Sequence, residues 1–202
     1  MDGPGTITWE EFLENAEGFI NLSTQISDGW ELHGNKNIPG GAYIVRQQKQ
    51  YISNSCNSNN YLVPESNVSD DDFNFVLRQD PFEAIHPIEK PLVTEHHVLW
   101  SMSYSVPVLY FNGWKSDFAG MNPVSVEEAQ LLVYNTEMRY KELSQAIHPI
   151  LGTPFLYLHP CMSHELLQIT SKSKNKLVSW LSTVAPAALN LKLRSEYYQL
   201  TI

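Results

Sequence analysis

The chain has 202 residues, 43% of them hydrophobic and 11% aromatic, which suits one globular domain that can bury a full core without a second. A formal net charge of -9 and a pI of about 5.2 exclude the basic face with which nucleic-acid binders displace counterions from phosphates. No run approaches eighteen apolar residues, so no membrane anchor is expected, and two cysteines, Cys56 and Cys161, exclude a disulfide framework.

The opening MDGPGTITWEEF is acidic and polar, not a basic leader followed by an apolar run. With so little cysteine, the expectation is a reducing, cytoplasmic setting and no signal peptide. The sequons at Asn21 and Asn67 are then chance matches. Thr8 forms a capping box with Glu11, and Trp9, Phe12, Leu13, Ala16, Phe19 and Ile20 share one helical face. The spacing predicts a helix over 9–23. Turn chemistry fills 28–31 and 35–41, and 42–48 reads as a strand.

From 53 to 60 the chain is almost entirely serine and asparagine, and 64–72 is acidic. So little apolar surface does not offset the entropy of ordering, and 53–80 is predicted to be a flexible insertion in a single domain covering 1–202. Cys56 sits in that tract with nothing near it to lower its pKa or fix its position. Residues 96–104 alternate as a strand, placing His96 and His97 on opposite faces, where they do not readily share a metal. No metal and no cofactor are expected. Pro107 opens a second run, 108–112, and the short connection predicts an antiparallel hairpin.

A second capping box, Ser125 with Glu128, opens a helix with Val126, Ala129, Leu132 and Val133 on one face. It is read as continuing toward 143 with a break and ending at the His148–Pro149 step. A short strand follows at 155–158, then a short helix at 164–169 capped by Ser163, then helical spacing through Leu177, Val178, Leu181 and Val184 up to Pro186. Helices at both chain ends around a central antiparallel sheet give the α+β class. Lys172, Lys174 and Lys176 form the longest basic cluster, a solvated loop or a docking patch for an acidic partner.

The chemistry concentrates at Cys161. Pro160 fixes its own φ and biases His159 toward extended backbone, so the chain entering the thiol is stiff. The N-terminus of the helix beyond it favours thiolate over thiol. An ordinary cysteine, with a pKa of about 8.5, is only a few per cent thiolate at neutral pH, and the thiolate is the nucleophile. His159 lies two positions before the sulfur on the same face of an extended segment, either bonded to it or shaping the loop. His164 falls in the first helical turn, where exposure is the default. Asn112 and Tyr43 are further sources of polar groups if their strands pass the thiol.

Three ordered blocks, HHVLWSMSYSVPVLYFNGW (96–114), HPILGTPFLYLHPC (148–161) and NKLVSWLSTVAPAALNLKL (175–193), resemble the E2-like conjugating enzymes of autophagy. The first 95 residues carry no matching motif, and Met162 and Ser163 follow the cysteine where relatives often have a polar or basic pair. The resemblance implies an E2-like fold. It also implies that the cysteine of HPC, here Cys161, carries a ubiquitin-like modifier as a thioester and passes it to an acceptor lysine, with His159 in support. The partners implied are an E1-like activating enzyme (autophagy-related protein seven), the modifier (protein twelve) and the acceptor protein (protein five). Ordinary E2 enzymes place an asparagine in an HPN motif ahead of their cysteine; here His-Pro is fused to Cys161, so an oxyanion donor must come from elsewhere. Competing readings are a lipid-conjugating relative of the autophagy-related protein three type, a cysteine hydrolase pairing Cys161 with His97, and a non-catalytic interaction domain.

Overall fold

A computed structural model describes residues 5–53, 89–132 and 143–202. The predicted insertion at 53–80, with Cys56, lies almost wholly outside the described residues, as does the predicted continuation of the second helix beyond 132. Helix α1, Trp9–Gln25, starts where the Thr8 hydroxyl accepts the N–H of Glu11, as the capping box requires. Its inner face is Trp9, Phe12, Ala16, Phe19 and Leu22. Strands β1 (Glu31–Gly34), β2 (Ala42–Ser53), β3 (Glu89–Ser101) and β4 (Val106–Trp114) follow. Then come α2 (Val126–Leu132), β5 (Leu143–Ile147), β6 (Pro154–Leu158), α3 (Ser163–Ile169) and α4 (Lys176–Val184), with a short 3-10 helix at Ser195–Thr201.

The six strands form one sheet in the order β1-β2-β3-β4-β6-β5, every neighbouring pair antiparallel. The α+β class and the E2-like arrangement stand. Two strands differ from the sequence reading. β1 occupies four residues between the two turn segments, too short to show a period of its own. β5 replaces the end of the predicted second helix: Leu143 is buried while Ser144 and Gln145 are exposed, a sheet edge that five residues hardly distinguish from a helical fragment. β2 and β3 both extend beyond the prediction where they pair, from Tyr43↔Leu99 to Ser53↔Glu89, but β3 ends at Ser101, and 102–104, read as strand, belong to the turn.

β3 is buried on both faces. His96 and Val98 point to one, with Ile44, Leu109 and Phe111; His97 and Leu99 point to the other, with Tyr43, Val108 and Tyr110. On the first face α1, α4 and the C-terminal 3-10 helix pack together: Phe19 stacks on Tyr197 at 4.3 Å, and the Asn175 amide that caps α4 also donates to the Asn15 carbonyl of α1. Tyr197 donates to the buried Asp28 carboxylate, which Arg46 neutralises at 2.8 Å.

Among the described residues three histidines are buried. His96 approaches the Ala188 carbonyl at 2.8 Å, so its Nε2 carries the proton, and no partner among the described residues meets its Nδ1. His97 and His148 share a 3.0 Å hydrogen bond, and Glu95 lies 3.0 Å from the other nitrogen of His97. Burial pushes His96 and His148 down to about 4. As pH falls from about 6.5 toward 4, the unfolded chain therefore takes up protons at these positions that the folded chain refuses. Stability is lost across that window, by up to about 1.4 kcal/mol per pH unit for each histidine. The urea midpoint should drop between pH 7 and pH 5, and His96→Gln, which keeps a donor for Ala188 and does not titrate, should flatten the slope by about half. A midpoint that stays level between those pH values contradicts this account.

Candidate active site

β6 ends at Leu158, opposite Leu109 of β4, and the chain then continues antiparallel to β4 toward Pro107. His159 is extended, with φ -60° and ψ 135°, as the following proline favours, and Pro160 opens a one-turn 3-10 helix, Pro160–Met162, that holds the thiol. The Cys161 N–H donates to His159 Nδ1 at 3.2 Å, which fixes the side chain two residues upstream as the cap of that turn. The sulfur lies 3.8 Å from the His159 carbonyl oxygen, and Cys161 is exposed. Helix α3 starts two residues later.

Ser163 was expected to cap α3. It instead sits inside the helix, buried, and its hydroxyl serves the tertiary structure: it accepts from Trp180 Nε1 at 2.9 Å and donates to the Pro107 carbonyl at 3.4 Å. The thiol loop is thereby tied to α4 and to β4 at once. The N-terminal segment closes the same corner. Ile7 donates to the Ser105 carbonyl and accepts from Trp100 Nε1, and Gly5 lies so close to the exposed His164 ring that a Cβ there would come within 2.5 Å of it. In the β3–β4 turn, the exposed Tyr104 meets the His159 ring edge-on at 5.9 Å, and Met102 and Met162 are exposed as well.

Of the residues singled out in the sequence, His159 and Cys161 come together, while Asn112, Tyr43 and His97 lie elsewhere. β4 does pass the thiol, but at Pro107; Asn112 is at its other end, about 17 Å further along the strand, donating to the Pro154 carbonyl. Tyr43 packs its ring on His97 at 4.8 Å, and burial raises its hydroxyl pKa. His97 cannot serve a hydrolase as the base for Cys161, since it is buried and both its nitrogens are engaged, by His148 and by Glu95. Lys176 pairs with Glu11 at 2.7 Å, which leaves Lys172 and Lys174 as the exposed part of the basic cluster. A cavity of about 360 Å³ between β2, β3 and the 189–192 segment lies toward the opposite end of the sheet from the thiol. The sequence reading overlooked Tyr104, taken only as one residue of an alternating strand, and His148, taken only as a helix stop.

Among the described residues no three His, Cys, Asp or Glu side chains are grouped to hold a metal, and no helix is long and apolar enough to cross a membrane. The family profile described as "Autophagocytosis associated protein, active-site domain" matches residues 11–194. The chain is 33% identical to the Homo sapiens ubiquitin-like-conjugating enzyme ATG10 over 198 residues, covering 87% of this chain and 86% of that protein. It is 26% identical to the Arabidopsis thaliana protein of the same name, over 83% and 88% of the two chains. The Dictyostelium discoideum counterpart is 32% identical over 123 residues, 50% of this chain and 52% of that one.

Replacing Ser163 by alanine strips the buried Trp180 N–H of its acceptor, a loss of about 1–3 kcal/mol. Urea unfolding should show that loss, and Ser163→Ala in a Trp180→Phe background, where the orphaned N–H is gone, should cost distinctly less. Equal costs in the two backgrounds would mean that the hydroxyl does not hold the tryptophan.

Proposed function

The chain belongs to the autophagocytosis-associated active-site-domain family and is an E2-like ubiquitin-like-conjugating enzyme of autophagy, and on that premise we propose that Cys161 is its thioester-forming nucleophile. The observation that carries the proposal is an exposed sulfur on a backbone held by His159, Pro160 and Ser163, in the HPC segment that resembles the family's. Its first step is thiol exchange. The Cys161 thiolate attacks the carbonyl of a modifier's C-terminal glycine, held as a thioester on an E1-like enzyme; the new C–S bond forms as the old one breaks and the activating enzyme's thiolate leaves. Thioester replaces thioester, so little driving force is needed.

In the second step a neutral lysine amine attacks the loaded carbonyl, nitrogen loses its proton and the Cys161 thiolate departs, leaving an isopeptide bond. With a reference pKa of about 10.4, that lysine must lose a proton at or near the site. Asn112 lies too far from the sulfur to act as an oxyanion donor in this step. His159 supports the reaction by holding the Cys161 amide, and so the direction in which the sulfur points. The partners we assign are the E1-like autophagy-related protein seven, the modifier protein twelve and, as acceptor, protein five.

Incubating the chain with modifier, activating enzyme and ATP should give an adduct that thiols cleave, absent from Cys161→Ala. Cys161→Ser should trap a thiol-resistant oxyester. An adduct that survives in Cys161→Ala defeats the assignment.

A further inference from the structure

A polar cluster lies on the sheet face that His97 shares with Tyr43 and Tyr110, and the two-step reaction makes no use of it. The proton positions follow from its partners. His148 Nδ1 accepts the N–H groups of Ile150 and Leu151 at 3.3 and 3.1 Å, so the proton of that ring is on Nε2. Nε2 therefore donates to His97 Nδ1 at 3.0 Å, which puts the His97 proton on Nε2, where it donates to Glu95 at 3.0 Å. Two neutral rings and one carboxylate thus form a chain with a single direction. Tyr43 stacks on His97 at 4.8 Å, Phe155 contacts both rings at 4.9 and 5.0 Å, and Tyr110 lies 5.2 Å from His148. Two buried rings with both nitrogens of each engaged, ending on a part-buried carboxylate, fix one geometry, because any slip leaves a ring nitrogen unpaired.

We propose that the His97–His148 pair, anchored on Glu95, is a positioning device for Cys161, bolting the far end of β6 to β3 and so fixing the strand whose other end carries the thiol; the inference rests on reading Cys161 as the thioester carrier. β6 needs such a bolt. Only three residue pairs join it to β4, and its other neighbour, β5, is the edge of the sheet. The turn between β5 and β6 is otherwise closed on itself, by His148 N–H to the Thr153 carbonyl and Gly152 N–H to the His148 carbonyl. Among the described residues, the histidine bond is the hydrogen bond that reaches from that turn past β4 to the centre of the sheet, and the Tyr43 ring of β2 meets His148 edge-on at 5.4 Å. From His148 the packing runs on through Tyr110 to Tyr157 at 4.7 Å and to His159 at 6.1 Å, and His159 holds the Cys161 amide.

His148→Asn tests this, because asparagine retains an oxygen for the Ile150 and Leu151 N–H groups and is too short to reach His97. Wild type and variant are loaded with the modifier and mixed with the acceptor, and single-turnover discharge is followed alongside amide hydrogen exchange. Both should load; the variant should discharge about tenfold more slowly, as a displaced reacting group does. The amides of Leu156 and Leu158 should exchange faster while those of α1 do not change. Unchanged discharge, or acceleration of exchange throughout the chain equally, overturns the inference. Exchange in the unloaded chain needs no modifier, so wild type that fails to load at Cys161 counts against the thioester reading, and unchanged β6 exchange counts against the bolt.

Discussion

One hydroxyl, that of Ser163, joins the thiol loop to both halves of the molecule. It accepts from Trp180 in α4 and donates to Pro107 at the start of β4, and Cys161 is two residues away. Helix packing and sheet pairing meet at that oxygen, so the position of the sulfur depends on the core and not on the loop's own preferences. This answers a difficulty built into the proposed chemistry: a nucleophile that receives one protein's tail and presents it to another must be exposed, yet held to a fraction of an ångström. A buried bridge behind an exposed residue meets both requirements.

The same reasoning applies along β6. One end of the strand is tied through Ser163 and the Cys161 turn; the other carries Asn112 on the Pro154 carbonyl and the histidine chain beyond it. Between those ends β6 pairs with β4 at three residues only, and along its whole length with the edge strand β5. Side-chain bonds supply what the short ladder to β4 lacks, and burial keeps one of the groups that make them, His148, near 4. The cost is the acid sensitivity that buried neutral histidines confer.

How much of this was legible in the sequence depended on whether the signal was local. The Thr8–Glu11 box, the β3–β4 hairpin and the extended His159 before Pro160 depend on neighbours a few residues apart, and each is present, the hairpin with its turn three residues earlier than the strand reading placed it. Ser163 was misread because a serine before a helical run has a local use as a cap, while its actual partners, Trp180 and Pro107, are 17 and 56 residues away. His148 was hidden for the same reason: a His-Pro step marks the end of an element, and nothing nearby in sequence indicates a partner at His97, 51 residues upstream. Asn112 and Tyr43 were conditional on strand register, and register is a property of the assembled sheet. β1 and β5 are short edge strands whose stability comes from the strand each pairs with.

The central claim is that one sulfur, Cys161, takes the acyl group. Peptide mapping by mass spectrometry of the loaded, undigested-then-cleaved wild-type chain addresses it most directly. The account predicts the modifier's terminal glycine on the peptide containing Cys161, lost after hydroxylamine treatment. Occupancy of Cys56, or of a lysine by a hydroxylamine-stable bond while Cys161 remains alkylatable, would contradict it.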